Sequence, residues 1–245
     1  MNTLPAAAIA YQPVDVLKPV AENVWIVDSG PLSFGPFLLP VRMTAIRLAS
    51  GEMWLHSPTR FDEALKRSVE AIGPVRHLVA PNIAHWSYLK DWQERCPQAT
   101  TWAAPKLRER AKDVRLDRDL ADAPPEPWAG EIEQVVVPGA FGFREVAFFH
   151  KATRTLLLTD LIVNLEADKT PPLTRAFAQL TGTLSPNGRA PAYLRLLLRM
   201  AGEPAKAAAR RLLACAPERV IFAHGRWFER DGTRELRRAL SWLVA

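Results

Sequence analysis

The sequence predicts an α+β fold: a four-layer αββα sandwich, with two mainly antiparallel or mixed sheets packed together and helices outside. Three observations carry this expectation. Short apolar strands come in runs, with helices between and after the runs. Two hairpins are legible, Val41 to Leu55 and Val146 to Leu158. No GxGxxG follows a strand, which weakens the alternative of a plain doubly wound sheet. The whole chain, 1–245, reads as a single domain, with residues 168–202 as a helical cap segment.

Along the chain, Asn23 to Asp28 alternates and reads as a first strand. Pro31, Gly35, Pro36 and Pro40 mark a loop. Val41 to Leu48 and Glu52 to Leu55 form a hairpin turning at Ser50-Gly51. Arg60 to Ile72 has helical spacing through Phe61, Leu65, Val69 and Ile72, and Gly73-Pro74 stops it. Val75 to Ala80 is a short buried strand, Trp86 to Arg95 a helix and Ala99 to Ala103 a strand. Pro105 opens a further helix as a first-turn proline. Asp122 to Gly130, with three prolines, reads as a loop between two halves of similar content. Glu131 to Val137, Glu145 to Phe149 and Thr155 to Thr159 then read as strands. In the 168–202 excursion, Pro171, Pro172, Pro186 and Pro191 punctuate two apolar helical stretches, Leu173 to Leu180 and Ala192 to Met200. Its arginines 175, 189, 195 and 199 are expected at the mouth of a pocket that the segment covers, or else in solvent. Lys206 to Cys215 is a helix, Arg219 to Ala223 a strand and Thr233 to Val244 a closing helix.

Composition narrows the function classes. With 245 residues and 48% apolar content the chain can bury a sizeable core, and disorder is not expected. No apolar run approaches the roughly 18 residues of a membrane span, and Met1 to Ala10 lacks the Lys or Arg of a secretory signal. Cys96 and Cys215 form no CxxC pair, so neither a zinc ribbon nor a disulfide scaffold is indicated, and the expected setting is cytoplasmic with reduced thiols. The net charge of +6 is uneven: residues 171–245 hold 13 Lys or Arg against 5 Asp or Glu, residues 1–170 hold 19 against 21. Solvated helix faces account for this, and the sharper alternative is a basic surface that attracts an anionic small molecule. No basic–aromatic interleaving points to nucleic acid.

Three residues stand out by their context. His85 closes Leu78-Val-Ala-Pro-Asn-Ile-Ala-His85, Asp160 ends Thr155-Leu-Leu-Leu-Thr-Asp160, and His224 sits in Val220-Ile-Phe-Ala-His-Gly225. Each comes after a short apolar run, and side chains at strand ends share one rim of a layered domain. Two imidazoles and a carboxylate make a metal site with an open position. Singly, each has a plainer role: His85 packed before Trp86, His224 serving a turn, Asp160 capping the segment after Leu161. His56, after Met53-Trp-Leu55, is a candidate fourth ligand or a hydrogen-bond partner of one. His77 and His150 are read as structural. There is no GxSxG elbow, Walker loop or HExxH.

This order of elements resembles the metallo-β-lactamase superfamily over about residues 20–245. More narrowly, Trp54-Leu-His-Ser-Pro58, Ala80-Pro-Asn-Ile-Ala-His85 and Phe222-Ala-His-Gly225 look like an uncharacterised, degenerate branch known only as a domain of unknown function. Laid on the superfamily's HxHxDH motif, the last histidine falls on His85 and the other ligand positions on Ala80, Asn82 and Ala84. Pro138-Gly139 is followed by Ala140 where a further histidine is usual, while Asp160 matches the bridging aspartate and His224 the last histidine. The resemblance therefore implies a reduced, mononuclear site held by His85, Asp160 and His224, with His56 as an addition. The ion would be Zn²⁺ or, as a facial triad, Fe²⁺. It also implies hydrolysis of a small ester, lactone, thioester or phosphoester, with Asp160 and His224 at the catalytic centre. The ligand losses leave a non-catalytic metabolite-binding descendant as the alternative, and the ligand set permits an iron-dependent oxidoreductase.

Overall fold

Seven strands cross the first sheet in sequence order: β1 (Lys18–Ala21), β2 (Val24–Phe34), β3 (Phe37–Arg47), β4 (Met53–His56), β5 (Val75–Ala80), β6 (Thr100–Ala103) and β7 (Arg118–Asp119). The structure, a computed structural model, describes residues 9–244, so the reading of Met1 to Ala10 lies largely outside it. Pairing is antiparallel from β1 to β4 and parallel from β4 to β7. The second sheet holds β8 (Ile132–Pro138), β9 (Arg144–His150), β10 (Thr155–Leu157) and β12 (Arg219–Ile221), and only β10 and β12 run parallel. A short parallel pair joins β11 (Val163–Asn164) to β13 (His224–Gly225). Six helices complete the described chain: α1 (Glu63–Glu70), α2 (Leu89–Arg95), α3 (Pro172–Thr181), α4 (Ala192–Ala201), α5 (Glu203–Ala214) and α6 (Gly232–Val244).

The period of two along the strands decides the layering. Trp54, Val79, Val146 and Phe148 point between the sheets, where they meet Trp102, Trp128, Leu157 and Ile221. Their neighbours Met53, Leu55, Leu78 and Ala80 face the other way and pack under α1 and α2 through Leu65, Val69, Leu89 and Trp92. On the second sheet Ala147, Phe149, Leu156 and Val220 face α4, α5 and α6 through Leu194, Leu198, Leu212, Leu236 and Leu240. Both faces of both sheets are thus covered, which is the αββα arrangement.

Three expectations differ from what forms. The proline-marked loop at Pro31–Pro40 is the outer half of a long hairpin, in which pairing continues to Phe34 opposite Phe37. Its prolines are tolerated because the ladder breaks between Ser29 and Leu32, leaving Gly30 (φ 115°) and Pro31 in a bulge. Pro105 opens only a single tight turn, Leu107–Glu109, because Lys106 takes a left-handed φ of 76°. The helix expected from Arg60 begins at Glu63, where the Asp62 carboxylate accepts the Leu65 N–H at 2.8 Å. Among the described residues, no helix is long and apolar enough to cross a membrane.

Phe148 is fully buried and meets Trp54 edge-on, with ring centroids 5.0 Å apart. We predict that Phe148→Ala destabilises the protein by about 3–5 kcal/mol, read from urea unfolding. A loss below about 1 kcal/mol would contradict the assigned inter-sheet core.

Candidate metal centre

His85 comes after β5, Asp160 comes after β10 and His224 opens β13 just beyond β12, so all three stand past the C-terminal ends of core strands. Their potential ligand atoms lie within 4.8 Å of one another. The Nε2 atoms of His85 and of His224 each stand 3.4 Å from Asp160 Oδ1. That spacing is long for a charge-assisted hydrogen bond, which closes to about 2.7–2.9 Å. It is instead near the edge of a tetrahedron whose ligands stand about 2.1 Å from one ion, roughly 3.4 Å. The other imidazole nitrogens are engaged: His224 Nδ1 donates to the Pro40 carbonyl at 2.8 Å, and His85 Nδ1 meets Ser57 Oγ at 2.7 Å. The Pro40 carbonyl requires a proton on His224 Nδ1, which leaves the Nε2 lone pair facing Asp160, the tautomer a ligating histidine needs; His85 takes the same tautomer when Ser57 Oγ is the acceptor.

The carboxylate is held from behind. Asn82 Nδ2 donates to Asp160 Oδ2 at 2.8 Å and to Thr159 Oγ1 at 2.9 Å. Its Oδ1 accepts the N–H groups of Ala84 and His85 at 2.8 and 3.0 Å. The side chain at a lost ligand position thus fastens the His85 turn to the Asp160 turn. Beneath it lies Glu145, fully buried at the start of β9. Its carboxylate accepts N–H groups from Thr159 (2.8 Å), Asp160 (2.9 Å) and Leu161 (3.2 Å). Burial and the nearby charge of Asp160 push the Glu145 pKa up to about 7, against the opposing pull of those N–H donors. For Asp160, burial would raise the pKa, but His85 and His224 outweigh it and hold the carboxyl well below the usual carboxylate range.

A second clamp fixes His224. Arg42, 3% exposed on β3, donates Nη1 to the carbonyls of Phe222 and Gly225 at 2.8 and 2.9 Å. Asp28 on β2 pairs with Arg42 Nη2 at 2.6 Å and with Lys18 Nζ at 2.9 Å. The glycine after His224 is required by space and conformation. At φ 91°, a Cβ on Gly225 would lie 2.1 Å from the Asn164 carbonyl oxygen.

His56 does not join the group. Strand alternation turns it to the same face as Trp54, between the sheets, where it stacks on Trp54 (5.8 Å) and meets Phe148 edge-on (5.5 Å). Burial, with a smaller contribution from His85, pulls its pKa down to about 3, and its Nε2 has no hydrogen-bond partner. His77 accepts the Trp102 indole N–H at 3.2 Å, and His150 pairs with Thr153 Oγ1 at 2.8 Å. Both are structural.

The three residues open into a cavity of about 340 Å³. Hairpin residues Phe34, Phe37 and Leu39 wall one side and Phe177 and Ala178 of α3 another. Phe37 stacks on Phe177 at 4.5 Å, and the Leu38 N–H donates to Thr174 Oγ1, so hairpin and α3 close on each other. The cap arginines do not line this cavity. Arg175, Arg189 and Arg195 bond carbonyls of their own segment, and Arg199 lies over Trp242. The cationic side chain on the wall is Arg110, and Tyr193 also lines it.

Sequence reasoning missed Glu145, Ser57, Tyr193 and Arg110. Glu145 left one signal, a carboxylate beside Arg144 at the start of a strand that continues as apolar Val146 to Phe149. Ser57 left none, since its link to His85 spans 28 positions.

The chain matches the family model described as Domain of unknown function (DUF4336) over residues 21–187. It belongs to that family. Its fold is that of the metallo-β-lactamases. A metallo-β-lactamase from Pontibacter korlensis matches with a TM-score of 0.63 at 15% identity, over 93% of this chain and 97% of that one. The metallo-β-lactamase from Hirschia baltica matches at 0.61 and 14%, over 92% and 96%. The metallo-β-lactamase FIM-1 from Pseudomonas aeruginosa, in its mono-zinc form, matches at 0.60 and 14%, over 95% and 97%. At such identities the likeness establishes the fold. No curated protein sequence matches the chain.

Glu145→Ala leaves buried N–H groups without an acceptor, each costing about 1–3 kcal/mol. We expect a loss of at least about 3 kcal/mol in urea unfolding, and a loss below about 1 kcal/mol would remove Glu145 from this role. A second expectation concerns pH. A histidine whose folded pKa is depressed contributes stability above its unfolded value near 6.5, and this is lost as pH falls toward the folded value of about 3. Wild type should therefore lose about 3 kcal/mol more than His56→Phe between pH 6.5 and 4. Parallel stability profiles for the two proteins would show that His56 is not buried in its neutral form.

Proposed function

We propose that this DUF4336 protein is a metal-dependent hydrolase with one ion, zinc before iron, held by His85 Nε2, Asp160 Oδ1 and His224 Nε2. It would act on a small ester, lactone, thioester or phosphoester. The observation that supports the reading is the pair of equal 3.4 Å spacings around Asp160 Oδ1, with both imidazoles turned by Nδ1 partners. When bound, an ion of this class supplies Lewis acidity and activates water near neutral pH.

The chain's own residues supply the remaining steps. Asp160 stays ionised, offsets the charge of a divalent cation and accepts from Asn82 on its other oxygen. The phenol of Tyr193 is protonated at neutral pH, as an ordinary tyrosine is, and burial of its ring and then the charge of Asp160 shift its pKa further up. It serves as a hydrogen-bond donor to a substrate oxygen. The apolar side chains of the hairpin and α3 lower the polarity around the site, which strengthens each of these polar contacts. One ion suits this site better than two: Asn82 is committed through both ends of its amide, and Ala80, Ala84 and Ala140 offer no ligand atoms.

Metal analysis of protein purified without chelator or nickel resin tests the reading, with about one zinc per chain as the expected result. Asp160→Ala should abolish binding, Ser57→Ala should weaken it by roughly 10–100-fold as the imidazole loses its support, and His77→Ala should leave it unchanged. Protein without metal, or an Asp160→Ala variant that keeps it, would overturn the ligand assignment.

A further inference from the structure

We infer that the substrate is an amphiphile: an apolar acyl chain that lies in the cavity walled by the β2–β3 hairpin, α3 and the turn after β5, with an anionic group that reaches Arg110. The inference rests on the hydrolase reading for the fate of the ester bond. The binding it describes does not need catalysis.

The wall chemistry is the first support. Beyond the His85–Asp160–His224 group, the cavity is walled mainly by apolar side chains on three separate elements. The hairpin gives Phe34, Phe37 and Leu39, α3 gives Phe177, and the turn after β5 gives Ile83 and Trp86. Phe34 is 64% exposed, an unusual placement for a phenylalanine with neighbouring core available. A cavity of about 340 Å³ lies at the lower end of the range for small-molecule sites. It is larger than a two-carbon acyl group requires.

Charge supplies the second half. Asp160 and Arg110 are the carboxylate and the guanidinium on the described wall, and Asp160 is committed to the imidazoles and Asn82. Arg110 is exposed, and among the described residues no ion pair engages its guanidinium. A planar fork of N–H donors in that state fits a carboxylate or phosphate on the ligand. The four cap arginines do not line the cavity, and they are tied to carbonyls or a ring. Apolar walls with Arg110 as the free guanidinium among the described lining residues therefore select an anionic amphiphile over a sugar, a neutral polar ester or a cation.

The test uses the full-length protein as purified, with saturated straight-chain carboxylates from four to ten carbons and the matching primary alcohols. Binding is read by calorimetry. Each added buried methylene should tighten binding about threefold to fourfold, until the chain outgrows the cleft. Carboxylates should bind more tightly than alcohols of equal length, and Arg110→Gln should remove that difference by about tenfold while leaving the alcohols unchanged. Phe34→Ser, at an exposed position, should flatten the chain-length slope without loss of folding. A flat series in wild type overturns the apolar-chain assignment, and equal binding of alcohols and carboxylates overturns the role of Arg110. Zinc-loaded protein with a flat series contradicts this inference alone. A steep series in metal-free protein supports it and contradicts the metal reading alone.

Discussion

The buried carboxylate of Glu145 is the constraint on which the site depends. A charge-bearing group with no solvent exposure is tolerated only where hydrogen bonds replace its lost hydration. Those bonds come from three consecutive backbone N–H groups, Thr159, Asp160 and Leu161. One side chain thus fixes the conformation of the turn that aims Asp160. The backbone of Glu145 bridges to Asn82, and the Val146 N–H donates to the Pro81 carbonyl at 2.8 Å. The same residue therefore joins the two sheets at the rim where their loops must meet. Asn82 then extends the connection into the site by bonding both turns.

Arg42 plays the corresponding role on the other flank. Its ion pair with Asp28 is buried, so pairing alone would not make it favourable. The bonds from Nη1 to Phe222 and Gly225 add two acceptors to the Asp28 pairing at Nη2 and fix the carbonyls on either side of His224. Both supports act on backbone, and the side chains of Asp160 and His224 inherit their positions from it.

Much of the fold was legible because its signals are local. Val75–Ala80 shows its strand as a short segment ending in apolar Leu78 to Ala80 between a Gly-Pro stop and a proline, and Trp54, Val146 and Phe148 reveal their faces by alternation. The rim trio was legible for the same reason: each residue ends such a run. The elements that sequence reasoning missed are held by distant partners. The strands β11 and β13, two residues each, exist through their pairing with each other across some 60 positions. The hairpin beyond Ser29 looked like a loop because proline and glycine signal a turn, and they signal a bulge equally well. His56 was misplaced at the site because sequence gives its position at a strand end and only alternation with Trp54 decides its face. Glu145 and Ser57 were invisible as site residues because their roles lie in contacts made by folding.

The central claim, one ion among His85, Asp160 and His224, is tested most directly by anomalous diffraction at the zinc edge from zinc-soaked crystals. The account predicts a single peak about 2.0–2.2 Å from His85 Nε2, Asp160 Oδ1 and His224 Nε2. A peak at His56, or no peak within reach of Asp160, would contradict it.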